Sequence, residues 1–145
     1  NFAAQAQTHA AVVDILDARN QSDIARRVDE LATLRFGLVG AVVAIEGDAP
    51  AGWHQLIEGQ VDLIMGPSRL ALMGFHAPAL GLFGDKAETI KSMAMVRMAI
   101  WEPARQGILA FGSPDPKGFT PDMGAELVAF LARVVERTAE RWPAP

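Results

Sequence analysis

The chain has 145 residues, of which half are apolar and 21% are charged, and its formal net charge is -4. This is the composition of one globular domain with a sizeable core, and it excludes a disordered or fibrous chain. An acidic balance without a basic run argues against a nucleic-acid partner. The lack of cysteine excludes disulfides and thiolate sites. No apolar run approaches a membrane span and the N-terminus does not resemble a signal peptide, so we expect a cytoplasmic protein with no membrane partner.

The N-terminal part of the chain predicts two helices. Apolar residues recur at helical spacing from Phe2 to Leu16. A polar break follows, in which Asn20 suits a helix end and Ser22 suits the N-cap of a second helix. We therefore predict an N-terminal helix within residues 1–21, either separate from the next helix or continuous with it, then one domain over residues 22–142 and a tail at 143–145.

Three apolar stretches predict the central strands of a sheet. Gly37–Gly47, Ser92–Trp101 and Gly107–Ser113 are apolar at both alternating sets of positions, which is typical of strands covered on both faces. Gln60–Met65 predicts a short additional strand. The segment Pro67–Ala87 is interrupted by glycines and prolines and predicts short helices and loops.

The C-terminal part predicts one amphipathic helix. Thr120 suits its N-cap, Pro121 the first helical position and Asp122 the positive end of the helix dipole. The terminal helices would cover one face of the sheet and the middle segment the other. The predicted fold class is therefore α+β, with an antiparallel sheet of about five or six strands.

The glycine-rich loop before the last helix fits no catalytic motif. Ser113 lacks the second glycine of a nucleophile elbow, and Lys117 is followed by Gly118 where a phosphate-binding loop needs Ser or Thr. No triad, pair of carboxylates or metal cluster can be assembled. The histidines, which lack metal-ligand spacing, are His9, His54 and His76. We expect no catalytic or metal-binding residues and no enzyme activity, and the sequence identifies no cofactor.

Arg97 is the most informative charged residue, because it lies inside an otherwise apolar strand. A buried charge is costly unless it is paired. Arg97 is therefore either the anchor for a carboxylate or phosphate in a cavity, or one half of a salt bridge. Trp53, Phe75, Phe83 and Met95 would supply the apolar walls of such a cavity, although these residue types are also typical of a filled core.

The terminal helices carry more apolar surface than one sheet of this size requires. This surplus predicts a partner helix. A homodimer through the terminal helices would provide it, and so would a segment preceding Asn1 that folds onto the same surface.

Three stretches resemble a bacterial family of GAF-like domains known as domain of unknown function 484. They are LGLFGD at residues 80–85, SMAMVRMAI at 92–100 and GILAFGSPDPKGFTPDMGAEL at 107–127, within a similarity that spans Gln21–Trp142. The resemblance implies an antiparallel GAF sheet, with both terminal helices on one face and a ligand cavity under the middle segment. It implies no established activity, since GAF relatives bind cyclic nucleotides, bilins, haem, amino acids or nothing.

The chain departs from that pattern in three respects. It has no cysteine for bilin attachment, it lacks the NKFDE string of cyclic-nucleotide-binding GAF domains, and Arg97 stands where a proline or apolar residue is expected. We therefore expect a non-enzymatic GAF-like sensory or regulatory domain that is dimeric and binds a small, anionic molecule between the sheet and the middle segment. The alternative is a structural dimerisation module with a filled cavity, and an uncharacterised enzyme is the third hypothesis.

Overall fold

Two helices, α1 (Phe2–Leu16) and α2 (Gln21–Phe36), open the computed structural model, which describes residues 2–145 and the side chains of residues 5–145. Asn20 is the N-cap of α2, because its side-chain oxygen accepts a hydrogen bond from the N–H of Asp23 at 2.8 Å. The prediction that Ser22 caps this helix is therefore wrong, and both the cap and the start of α2 lie two residues earlier than predicted.

Five strands form one sheet in the order β2-β1-β5-β4-β3. Their bounds are Gly40–Glu46 for β1, His54–Leu56 for β2, Ala71–Gly74 for β3, Ser92–Ile100 for β4 and Arg105–Ser113 for β5. Neighbouring strands are antiparallel, except that β2 pairs in parallel with the last three residues of β1. The predicted α+β class is confirmed, and the sheet is mixed because of this one parallel pair.

Residues Gln60–Met65 form a helix, α3, so the strand predicted there is wrong. Its buried side chains are Val61 and Met65, four residues apart, which is helical spacing. The carboxylate of Glu46 accepts the Val61 N–H at 2.9 Å and so satisfies one free donor at the start of the helix. Six residues are too few for periodicity to separate a helix from a strand.

The middle segment contains one element that the sequence did not predict, the edge strand β3. It is followed by a 3₁₀-helical stretch, Ala77–Thr89, which is interrupted at Gly84 by a positive φ of 53°. The prediction of short helices and loops for Pro67–Ala87 is therefore right for the second part of this segment and wrong for the first. A strand of four residues is too short to be recognised in a sequence interrupted by Gly and Pro.

The last helix, α4 (Glu126–Ala139), begins later than predicted. Thr120 forms a turn instead of an N-cap: its carbonyl accepts the Met123 N–H at 3.0 Å and its hydroxyl donates to Asp122. The predicted helix start at Thr120 is therefore wrong, because the same residue types also favour turns.

The sheet is covered on both faces. Helices α2 and α4 pack on one face and α1 packs on these two helices, whereas α3 and the 3₁₀ stretch cover the other. We call the two cores the helical-face cluster and the middle-face cluster. Alternate residues of β4 point into each, for example Val96 into the first and Met95 into the second. None of the helices in the described part of the chain has the length and apolarity that a membrane span needs.

Candidate functional site

The space between the sheet and the middle segment, where the sequence predicts a ligand cavity, is filled by the middle-face cluster. Phe83 and Met95, predicted as cavity walls, are both buried members of this cluster. Leu82 and Met93 pack with them. The structure therefore brings two of the predicted wall residues together, but in a packed core.

The guanidinium of Arg97, a residue of β4, forms hydrogen bonds with α3 and with the loop that follows α3. Its Nη1 atom donates to Asp62 at 2.7 Å, Nη2 to the Gly66 carbonyl at 2.8 Å and Nε to the Arg69 carbonyl at 2.9 Å. A fourth bond reaches Gln106 at 3.4 Å, so four of the five N–H groups are occupied. These contacts correspond to the salt-bridge alternative, and the role of anion anchor stays a prediction.

The remaining predicted residues lie apart from Arg97. Trp53 belongs to the helical-face cluster, where its indole stacks on Trp101 at 6.1 Å between ring centroids and its Nε1 donates to the Gln21 carbonyl at 2.7 Å. Phe75 follows β3 and is half exposed. The five predicted ligand-binding residues thus do not share one pocket, but Trp53 and Phe83 both line a groove elsewhere.

This groove runs along the outer edge of β1 and has a volume of about 520 Å³. We call it the edge groove. Its floor is Gly40–Val43 and one end is formed by Gly52, Trp53 and His54. The two walls come from α2 and the 3₁₀ stretch, and they consist of Ser22, Ala25, Arg26 and Asp29 on one side and Leu82, Phe83, Asp85 and Lys86 on the other.

The floor of the groove is the part of β1 that β2, which is short, does not pair with. The N–H of Ala41 points away from β5, since it donates to Asp29 Oδ1 at 3.0 Å, and strand alternation gives Val43 the same orientation. The ladder with β2 begins only at Ala44. Val43, which is only 1% exposed, comes directly before the first paired residue.

The charged side chains around the edge groove are paired with one another. Lys86 Nζ lies 3.7 Å from Asp29 Oδ1 and closes the groove at Gly40, where a Cβ would approach these two atoms to 3.0 and 2.6 Å. Arg26 binds Asp23 and Glu30, and these hydrogen bonds, that with Asp23 above all, raise its pKa. The groove thus offers an apolar wall, and the charged side chains of Arg26 and Asp29 on its α2 side are paired.

Sequence reasoning missed the main features of the edge groove, namely Asp29, Gly40 and Val43. A glycine at the start of a β-branched run was a usable signal, since glycine in a strand often marks a close approach. The sequence could not predict that this edge of β1 lacks a strand partner, because that depends on where β2 begins to pair with β1. Among the described residues, no three acidic or histidine side chains converge as metal ligands.

Comparison with known proteins identifies the family of the chain. No curated protein sequence matches the chain. The model of a family described as "Protein of unknown function, DUF484" matches residues 1–144 and so includes α1 as well as the sheet. The chain therefore belongs to the DUF484 family.

Proposed function

We propose that the chain is a non-enzymatic regulatory domain of GAF type that binds a small molecule in the edge groove and forms a homodimer through its terminal helices. The observation that carries the proposal is the edge groove itself, in which the β1 backbone at Gly40–Val43 lies beside the apolar side chains of Leu82 and Phe83. The volume lies within the range of small-molecule sites.

The GAF assignment is supported by the placement of the helices. The resemblance implies that both terminal helices lie on one face of the sheet and the middle segment on the other, and α4 and the 3₁₀ stretch have these positions. The ligand site is proposed at the sheet edge, because the middle face is packed. Since the charges on the α2 wall are paired, we propose a neutral polar ligand in place of an anion.

The dimer proposal is supported by apolar side chains on the two terminal helices. Val13 and Leu16 of α1 and Leu127 and Phe130 of α4 are each about half exposed. Apolar residues at this spacing form a stripe on each helix that a second copy would cover. In such a dimer, a conformational change that a ligand causes in α2, which lines the groove, would be transmitted to α1 and α4, because both helices contact α2.

The test is mass spectrometry of the protein purified without added ligand, under native conditions and after denaturation. We expect a species of twice the chain mass that loses a small molecule on denaturation. Ser22→Trp, which places an indole in the groove, should abolish the bound mass. Leu34→Trp, on the same helix at an 82% exposed position outside the groove, is the matched control. Bound mass that survives Ser22→Trp would overturn the site.

A second candidate function is a structural dimerisation module, and the filled middle-face cluster favours it. In that case the edge groove holds only water. A thermal-shift screen separates the two functions, because a ligand of the folded state raises the midpoint by mass action. A bare dimer with no stabilising compound would favour the structural module.

A further inference from the structure

Strand β3 forms one edge of the sheet, with β4 as its neighbour. Just before the ladder between them begins at Ala71, the Arg97 N–H of β4 donates to the Leu70 carbonyl at 2.9 Å. In an antiparallel pair, the backbone groups of successive residues point alternately toward the partner strand and away from it. Because those of Leu70 point toward β4, the N–H and C=O groups of Ala71 and Met73 point outward from the sheet edge.

These outward groups of β3 are open. No group in the described part of the chain forms a hydrogen bond with them, and both Ala71 and Met73 are partly exposed. On β4, in contrast, the carboxylate of Glu136 caps the outward N–H of Ala99 at 2.8 Å. Strand β3 also contains no charged residue and no proline. An edge strand without such protection is a template on which a further strand can pair.

The two ends of β3 carry opposite charges. Arg69 precedes the strand and is exposed, and its guanidinium has no hydrogen bond or ion pair with the described residues. At the other end, the Pro121 ring lies 3.4 Å from the position of a Cβ on Gly74, which places the exposed Asp122 beside the end of the strand. A hydrogen bond from the Thr120 hydroxyl lowers the pKa of Asp122, so this carboxylate is charged at neutral pH.

We propose that β3 pairs in antiparallel sense with β3 of a second copy, about a two-fold axis at Leu72. In this register Ala71 of each copy lies opposite Met73 of the other, and each such pair exchanges both of its N–H···O bonds. A shift by two residues would keep one of these pairs within β3 in place of two. The interface is isologous, and it joins the two sheets into one continuous sheet.

The same register brings complementary flanking residues together. Arg69 of one copy comes opposite the half-exposed Phe75 of the other, close to its Asp122. A guanidinium binds both an aromatic face and a carboxylate. Leu70, which is 70% exposed, meets the Pro121 ring of the other copy. The edge is thus self-complementary in backbone groups, charge and apolar contacts, and this favours a second copy over an unrelated strand.

This interface is separate from the proposed dimer through the terminal helices. It also lies at the opposite edge of the sheet from β2 and the edge groove. A strand of four residues buries a small area, which is typical of weak association. We therefore expect the dimer through the terminal helices at low protein concentration and pairing of such dimers through β3 at high concentration. Failure of the β3 pairing would leave the proposed function unaffected.

The first test is hydrogen exchange of ¹⁵N-labelled protein, followed by NMR over a wide range of protein concentrations. We expect exchange of the Ala71 and Met73 amides to slow as the concentration rises, because the second copy accepts their N–H groups. The Ala99 amide is the internal control, since Glu136 of the same chain already accepts its N–H. Exchange of Ala71 and Met73 that does not depend on concentration would overturn the pairing.

The second test is charge reversal, measured by sedimentation velocity at high concentration. Arg69→Glu places a carboxylate near Asp122 of the other copy at both ends of the pair, so it should weaken the association about tenfold. Adding Asp122→Arg restores opposite charges and should recover the association. Both side chains are exposed, so neither change perturbs the core, and Lys117→Glu at another exposed position is the matched control. A double variant that associates as weakly as Arg69→Glu alone would overturn the two-fold register.

Discussion

Arg97 and Asp62 form an ion pair of 2.7 Å in which the two partners differ in burial: the Arg97 side chain is 12% exposed and that of Asp62 is 60% exposed. An exposed carboxylate contributes little to an ion pair, since water screens it. The carbonyl of Gly66, in contrast, accepts from the same guanidinium in a partly buried position, and the Arg69 carbonyl accepts from its Nε. The stabilisation by Arg97 therefore comes mainly from the backbone carbonyls.

Arg97→Ala should accordingly lower the free energy of unfolding by about 2–4 kcal/mol, because two carbonyls lose charged donors. Asp62→Ala should lower it by less than about 1 kcal/mol. Urea unfolding of both variants measures the difference. Equal effects of the two substitutions would show that the ion pair itself is the stabilising contact.

Glu136 caps the Ala99 N–H beyond the end of the β3 ladder, and it also binds Arg133 at 2.7 Å. Glu136→Ala removes the acceptor of the Ala99 N–H in a partly buried hydrogen bond, so we expect a loss of about 1–2 kcal/mol in the free energy of unfolding. Glu136→Gln retains an acceptor for Ala99 and should cost less than half as much. Thermal or urea unfolding tests this order, and a Gln variant as unstable as the Ala variant would contradict it.

How much of this fold the sequence can predict depends on the length of each element. The three central strands and the outer helices were predictable, because each has enough residues for periodicity to show. The helix Gln60–Met65 was not predictable, since a pattern of six residues fits both a strand and a helix. The carboxylate that caps the start of this helix belongs to Glu46, which lies in a different element, β1. Local sequence does not contain that information.

The candidate site was less predictable than the fold. Arg97 stood out as a charge in an apolar strand, but its acceptors are carbonyls of a loop whose path no residue pattern reveals. The edge groove exists because β2 leaves the first four residues of β1, Gly40–Val43, without a strand partner on that side. Trp53 and Phe83 line the edge groove because the tertiary fold brings them together. The presence of aromatic residues in a sequence does not show whether they line a groove or fill a core.

Asp23 makes the stability of the α2 N-terminus dependent on pH. A hydrogen bond from Arg27 and, next, the backbone N–H of Arg19 hold the pKa of Asp23 well below its usual value. A lowered folded-state pKa contributes stability that is present above the unfolded pKa of about 3.9 and is lost as the pH falls toward the folded value. Asp23→Asn should therefore be less stable than the wild type at pH 7, and the difference should shrink below pH about 4.

Urea midpoints of the wild type and Asp23→Asn between pH 7 and pH 2.5 measure this dependence. Glu58→Gln, at an exposed position where the described residues make no hydrogen bond to the carboxylate, controls for the removal of a carboxylate. A constant difference between wild type and Asp23→Asn across this range would contradict the assignment.

The proposed dimer predicts that a charge on the exposed stripe of α4 separates the two copies. Phe130 is 50% exposed, so Phe130→Glu should leave the free energy of unfolding of the isolated chain within about 0.5 kcal/mol. In the dimer it would bury an unpaired carboxylate, which is strongly unfavourable. Sedimentation velocity should show a shift from dimer to monomer, whereas Leu34→Glu on α2 should not change the mass. A dimer that survives Phe130→Glu would exclude this stripe from the interface.

Gly107 allows β1 and β5 to approach closely. A Cβ at this position would lie 2.5 Å from the Ala44 carbonyl oxygen and 3.1 Å from Ile45 Cδ1. The first atom belongs to the backbone of a central strand and cannot move aside, so Gly107→Ala should lower the free energy of unfolding by about 1–3 kcal/mol. Gly81 has no atom within 4 Å of an added Cβ, so Gly81→Ala should be neutral or slightly stabilising. Parallel unfolding curves test the pair, and equal midpoints would mean that the strands separate without cost.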